Sequence, residues 1–396
     1  LIPRSLLIRN MAFKNLFIAS LVSMVIGNLV IGLGMAYAGY GVWSYVGALL
    51  SQNAALGIMY WLFKPAEAHG AWKPQSWRPL APMLSYGGRA TLYNLLNYAS
   101  SKVDTVLVGH HAQTGSTGAL DNPTAATNGW TTTGLYDRSA YLMSLPVSIL
   151  GKLGDSVLFS GMSAIQNEKD ALQSVLRRAL GLIAWLTFPG SLALAWFAGD
   201  VAALLLGEPY AEAEPIVRVL FIGVAFRSMI KLADALIRAV DALNVAILIK
   251  SIYLMGLGLS SWFVLSVGWG IEGVAWSVTI WTVVQFLFLS AWALRSVEWN
   301  LLEAIRSIMP GIKALLIAAA LLGILSQVLH YTMAIYVPSA SPLTIHLAHA
   351  MVAIISTIIA LFAAAILHPE VVDGGDLELR KRWTAYLPLR LQNRIL

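Results

Sequence analysis

The chain has 396 residues, 58% of them apolar and 12% charged, and its mean hydropathy is +0.71. A soluble domain carries roughly 25% charged residues, so the composition excludes a water-soluble globular protein and points to an integral membrane protein. The net charge is +6 and cysteine is absent; disulfides and thiolate metal sites are excluded, and the positive balance follows a topological pattern rather than marking a nucleic-acid partner.

Apolar stretches long enough for a spanning helix, roughly 20 residues, lie at 16–38, 42–63, 83–109, 135–163, 179–200, 212–238, 243–267, 271–294, 311–335 and 345–368. They are continuous runs rather than short alternating segments, so the expected fold is an all-α integral membrane protein, a polytopic helical bundle of ten transmembrane helices, and not a β-barrel. The connections at 39–41, 110–134, 200–214, 268–270 and 336–344 contain no Lys or Arg. The opposite connections hold Arg4, Arg9, Lys14, Lys64, Lys73, Arg78, Lys169, Arg177, Arg178, Arg295, Arg306 and Lys313. By the positive-inside rule this alternation puts the beginning of the chain and its basic C-terminal tail in the cytoplasm.

The chain opens at Leu1 with an Arg-bearing segment like the end of a helix. A missing N-terminus is expected, with a start at Met11 as the other reading. Residues 64–82, with Trp72, Trp77 and several prolines, form an expected interfacial linker. Residues 166–179 read as a short amphipathic surface helix. The tail after His368 interleaves basic residues with Trp383 and Tyr386, a composition suited to anionic membrane lipid as well as to plain solvation. A weak parallel repeat also emerges. Leu7-Ile8-Arg9, a span and Gly41-Val42-Trp43-Ser44 resemble Leu236-Ile237-Arg238, a span and Gly273-Val274-Ala275-Trp276-Ser277, with Gly41 and Gly273 each expected to open a helix after an outer turn.

The hairpin from 83 to 165 carries Arg89, Lys102, Asp104, Asp137, Arg138, Lys152 and Asp155. A charge at mid-span costs roughly 2.5–3.5 kcal/mol on insertion scales, so repeated charges imply a polar path through the bilayer. Helical spacing gives them direction. Arg89, Tyr93, Asn97, Ser100 and Asp104 share one face; Asp137, Tyr141, Ser144, Ser148, Lys152 and Asp155 share another; Arg227, Lys231, Asp234 and Arg238 form a third stripe. For the Ser and Asn positions, interhelical hydrogen bonding is an equally available reading. Arg238, at a helix end, reads as a positive-inside anchor.

At a rise of about 1.5 Å per residue, the charges separate by depth. Arg89, Lys152, Arg227 and Lys231, with Asp155 and Asp234, lie toward the cytoplasmic half. Lys102, Asp104, Asp137 and Arg138 lie near the outer end. The inner group is net positive and suits a phosphate or pyrophosphate, which makes Arg89, Lys152, Arg227 and Lys231 the candidate substrate-binding residues. The balanced outer group suits a salt-bridged gate. Pro146, Pro189 and Pro215 are candidate hinges or static kinks. The outer connection 110–134 opens with His110 and His111, but no carboxylate pattern supports a metal site. Phosphate-binding glycine loops, nucleophile elbows and metal-ligand clusters are missing from the sequence, so no enzymatic activity and no cofactor is expected.

The run from Arg4 to Lys14, the stretch Ala38-Gly-Tyr-Gly-Val-Trp-Ser44, Ser85-Tyr-Gly-Gly88, Val103-Asp104-Thr-Val-Leu-Val-Gly109, Gly134-Leu-Tyr136 and Ala140-Tyr-Leu-Met-Ser-Leu-Pro146 resemble the Wzx-type polysaccharide flippases, relatives of the MATE exporters and lipid II flippases. The resemblance runs from residue 1 to the last span. It implies a MATE-like two-lobe transporter fold of fourteen helices, of which this chain would hold the last two of the first lobe (1–63), a linker (64–82), a second six-helix lobe (83–294), an extra pair (295–368) and a basic tail (369–396). It implies translocation of undecaprenyl-pyrophosphate-linked oligosaccharide across the bacterial inner membrane by alternating access, with other polysaccharide-assembly proteins as partners. A proton or sodium ion would be the coupling ion, with Asp104, Asp155 and Asp234 as candidate carboxylates. A long insertion after Gly109 departs from the family pattern. A small-molecule exporter of the same fold, or a membrane-embedded glycosyltransferase or polymerase, stands as the alternative; the first should have a more apolar, acidic cavity, the second a large charged outer loop.

Overall fold

The computed structural model describes residues 2–9, 12–63, 80–114, 123–153, 158–207, 210, 213–336 and 341–368, and its regular elements there are all helices. The predicted linker 64–82 and tail 369–396 therefore lie almost wholly outside the described residues. Contacts divide the chain into two units, Leu1–Ser85 and Tyr86–Leu396.

The first unit contains α1 (Ile2–Arg9), a long helix and α4 (Val42–Leu62). The long helix runs as α2 (Phe13–Met24), a π-helical stretch Val25–Gly32 and α3 (Leu33–Tyr37). It stops at Gly39, whose φ of +84° only glycine adopts cheaply. The Tyr40 amide then donates back to the Met35 carbonyl at 3.1 Å, closing a Schellman cap. Gly27 seats the two helices closely, since a Cβ there would lie 2.7 Å from the Gln52 Cα.

The second unit takes in α5 (Leu80–Ser100) from Tyr86 onward, α6 (Val103–Thr114), α7 (Pro123–Leu153), α8 (Phe159–Ala164), α9 (Lys169–Trp196) and α10 (Ala198–Leu206). It continues with α11 (Glu214–Ala239), α12 (Leu243–Val267), α13 (Gly270–Ser296), α14 (Leu301–Tyr336) and α15 (Pro342–Leu367). Helix α11 is its centre, buried along most of its length and packed on α7, α9 and α13. Tyr136, Met143, Leu220 and Phe221 anchor the core there with almost no exposed surface. Helices α14 and α15 pair and pack on α9, where Gly311 meets the Ala184 backbone. Near the α13–α14 connection, Lys169 donates to Glu298 at 2.5 Å, and that ammonium holds the Glu298 carboxyl below the usual carboxylate range.

The outward faces are apolar. Leu248, Ile252, Met255 and Leu259 of α12, and Met351, Ile355, Ile358 and Phe362 of α15, are exposed at helical spacing. Such continuous apolar surface fits a lipid environment. Six described helices are long and apolar enough to cross a membrane: Phe13–Tyr37, Lys169–Trp196, Leu243–Val267, Gly270–Ser296, Leu301–Thr332 and Pro342–Leu367. The chain is a multi-pass membrane protein. The other four expected spans fall on α4, on α5 with α6, on α7 with α8, and on α11; their polar and charged side chains lower the hydropathy, so apolarity alone does not carry the count of ten.

Several expectations are corrected. The span 83–109 is not one helix, because it turns at Ser101–Lys102, where the Ser100 and Ser101 hydroxyls bond to the Leu96 and Tyr98 carbonyls and compete with the helical ladder. The connection 110–134 is largely helical: α6 continues through His110 and His111 to Thr114 and α7 begins at Pro123, leaving 115–122 outside the described residues. The surface helix expected at 166–179 is the first part of continuous α9. Pro215 starts α11 instead of bending it. Gly273 sits a turn inside α13; the turn glycines are Gly268 and Gly270, with φ of +88° and +65°.

That last correction resets the repeat. Gly39 and Gly41 correspond to Gly268 and Gly270, all with positive φ. Both preceding helices, Phe13–Tyr37 and Leu243–Val267, have 25 residues. The Trp269 amide repeats the cap by donating to Val264 at 3.1 Å. Gly256 seats against Trp281 as Gly27 does against Gln52.

Candidate functional site

A cavity of about 530 Å³ opens within the second unit. One wall comes from α11 and α12: Arg227, Lys231, Asp234 and Arg238, then Lys250 and Tyr253. Helical spacing puts Arg227, Lys231, Asp234 and Arg238 on one stripe, and buried Ile230 lies between them. The other wall comes from α5 and α7: Tyr93, Asn94, Asn97, Ser100 and Ser101, then Ser144, Val147, Ser148 and Gly151, with Gln285 of α13 contributing its amide. Gly151 leaves room for the Lys231 stem, whose Cδ would lie 3.7 Å from an added Cβ.

Among the described residues that line the cavity, four are cations and one is a carboxylate. That carboxylate, Asp234, is 6% exposed and accepts a 2.5 Å hydrogen bond from the Tyr93 hydroxyl. The bond ties α5 to α11 across the cavity. Arg238 donates from Nε to the Asp234 carbonyl at 3.2 Å and stacks its guanidinium 5.5 Å over Phe159. The Lys250 ammonium sits 4.5 Å over the Tyr253 ring. An enclosure of this kind can hold a multiply charged anion while presenting neutral hydrogen-bonding groups on the facing wall.

The structure brings together some of the predicted residues and separates others. Arg227, Lys231 and Asp234 line the cavity. Arg89 does not: its guanidinium lies 3.2 Å from Asp241, at the turn between α11 and α12, with Nε buried and unpartnered. Lys152 belongs to α7, but its side chain lies outside what is described, and Asp155 lies outside the described residues altogether. Lys102 and Asp137 form an ion pair at 3.2 Å, each about half exposed. Asp104 turns away from them and is buried, accepting from the Tyr136 hydroxyl at 2.8 Å and the Thr105 amide at 2.9 Å. Arg138 is exposed.

Sequence reasoning passed over Lys250, although a lone lysine in the apolar run 243–267 was a usable signal. It also passed over Asn94 and Gln285, and it set aside Arg238 as an anchor although that residue lines the cavity. Away from the cavity, His346 and His349 of α15 place their Nδ1 atoms 2.7 and 2.9 Å from the same oxygen of Asp200 on α10, and His349 stacks on Phe197. No group of three or more metal-ligating side chains among the described residues is arranged to hold a metal.

A family model described as polysaccharide biosynthesis protein matches residues 1–215. An uncharacterized membrane protein in the cps region of Klebsiella pneumoniae is 27% identical over 171 residues, 43% of this chain and 32% of that protein. The match thus spans about a third of the length of that curated relative. Among solved structures, the lipid II flippase MurJ in an inward closed conformation aligns with a TM-score of 0.54 at 13% identity, over 89% of this chain and 66% of that one. At that identity the likeness is one of fold alone, an all-helical membrane bundle.

Proposed function

From its place in the polysaccharide biosynthesis protein family, to which the chain belongs, we propose that it moves a lipid-linked oligosaccharide, carried on polyprenyl pyrophosphate, across the bacterial inner membrane by alternating access. The observation that carries this reading is the excess of cations, four against one carboxylate, among the described residues that line the cavity, set in a bundle whose outer faces are apolar. Charge in a membrane interior is expensive and marks a substrate path, and an excess of positive charge selects an anion. Arg227, Lys231, Lys250 and Arg238 are the described candidates to hold the pyrophosphate. A small-molecule exporter of the same fold would be expected to carry a more apolar and acidic cavity.

Within this reading, Lys102 and Asp137 are a gate pair near the outer end, with Arg138 beside them. Asp234 and Asp104 are carboxylates available to a coupling proton or sodium ion. The C-terminal tail faces the cytoplasm. The direct test is translocation by the natural full-length protein in proteoliposomes, read by access of an external glycosidase to a labelled polyprenyl-pyrophosphate oligosaccharide. Arg227→Glu with Lys231→Glu is expected to abolish movement in protein that still folds. Normal translocation by that variant overturns the assignment.

A further inference from the structure

We infer that the α5–α7 wall of the cavity is a subsite for a hydroxyl-rich sugar unit, held next to the anion bound on the α11–α12 wall. The inference rests on the proposed lipid-linked glycan and names which part of it meets which wall.

The chemistry of the two walls differs sharply. Among the described lining residues the cations stand on α11 and α12, whereas those of α5 and α7 are neutral polar groups and apolar side chains. The serines on that wall have committed their protons. Ser100 donates to the Leu96 carbonyl at 2.7 Å, Ser101 to Tyr98 at 2.8 Å, Ser144 to Tyr141 at 2.7 Å and Ser148 to Leu145 at 2.8 Å. A hydroxyl whose proton is bound to its own helix retains two acceptor lone pairs. The wall is therefore rich in acceptors.

An acceptor-rich wall is a poor surface for phosphate, whose oxygens are also acceptors. It suits a ligand that brings several O–H donors, which is the chemistry of a sugar ring. Asn94 and Asn97 add amides that both donate and accept, so a hydroxyl or an acetamido group can be met in either sense. The arrangement also answers the interhelical-glue reading for these serines: their hydrogen bonds run back along their own helices, not across to a neighbour.

The experiment compares two probes on the full-length protein in nanodiscs: polyprenyl pyrophosphate alone, and the same lipid carrying one N-acetylhexosamine. Wild type should bind the sugar-bearing lipid more tightly. Ser144→Ala with Ser148→Ala should weaken that lipid by roughly two- to tenfold per hydrogen bond lost and leave the bare lipid unchanged. Ser144→Thr, which keeps the acceptor, should restore the first half of the loss, and a preserved melting temperature separates it from misfolding. Arg227→Gln should weaken both lipids alike. Equal affinity of wild type for the two lipids, or an equal loss for both in the serine variant, overturns the sugar subsite while leaving the pyrophosphate reading intact. Failure of wild type to bind either lipid overturns both.

Discussion

Replacing Tyr93 by Phe removes one oxygen and isolates a buried charge. Tyr93 and Asp234 are 5% and 6% exposed, and their 2.5 Å bond joins α5 to α11. A neutral hydrogen bond is worth about 0.5–1.5 kcal/mol net, and one to a charged group about 1.5–3. Leaving the carboxylate without its donor adds a desolvation penalty, which the nearby Lys231, Lys250 and Arg238 partly offset. The expected coupling between the two side chains is therefore about 2 kcal/mol, close to a thirtyfold shift in the folding equilibrium at about 1.4 kcal/mol per tenfold. Tyr93→Phe, Asp234→Ala and the double variant form a double-mutant cycle, read by reversible unfolding in mixed micelles. Tyr93→Phe should be more harmful than the separate change Asp234→Asn, because Asn at 234 can still accept the tyrosine proton. A coupling below about 0.5 kcal/mol, or an Asp234→Asn loss larger than that of Tyr93→Phe, would refute the description of this pair as the polar tie across the cavity.

The absence of cysteine makes crosslinking direct: Lys102→Cys with Asp137→Cys should be joined by a short bis-thiol crosslinker in a yield that changes with added substrate, and a yield independent of substrate removes these residues from the gate. Gly311→Ala should destabilise the protein by about 1–3 kcal/mol through overpacking, since the new Cβ would lie 2.6 Å from the Ala184 carbonyl; an unchanged melting temperature counts against the close α9–α14 approach. Asp200→Ala should loosen α15 from α10 and speed amide exchange in the first turns of α15, because two imidazoles lose their shared acceptor; unaltered exchange shows that the cluster does not hold the helix. The depressed Glu298 carboxyl gives a signed pH effect. The stability it lends is present above its ordinary value of 4.5 and is lost as pH falls through the lower native value. Glu298→Gln should remove that component of the acid response, and an identical response in both proteins rejects it.

Periodicity in the sequence was enough to orient α11. Arg227, Lys231 and Asp234 sit at helical spacing, and a helix that spends this much charge in an apolar run has to turn it toward a cavity. What periodicity could not supply was partners from distant parts of the chain. Arg89 lies on the same stripe as Tyr93, but the carboxylate that captures it, Asp241, is brought alongside only by the α11–α12 turn. Lys250 is a single charge on its helix, so it had no stripe to join. Asp104 was grouped with Lys102 by depth along one continuous helix, yet the turn at Ser101–Lys102 restarts the helix and buries Asp104 against Tyr136 while Lys102 meets Asp137 at a half-exposed position. The repeat was visible as a pattern, but its register depended on backbone conformation. Four glycines at positive φ fixed it, where the matched Gly-Val and Trp-Ser letters had misplaced it by one turn.

The paired helices closed by Gly39-Tyr-Gly41 and Gly268-Trp-Gly270 bear on how the chain is made. In each hairpin the stop signal, the reversal and the close seat that aligns the partners are all encoded locally, within one pair of consecutive helices. Contacts this near in sequence form early and need no distant element to be in place. Each hairpin can therefore leave the ribosome and enter the bilayer as a finished insertion unit, its backbone polar groups already satisfied. Loss of Gly27 or Gly256 would then be felt first as poor biogenesis and rapid turnover, before any defect in the mature protein could be measured.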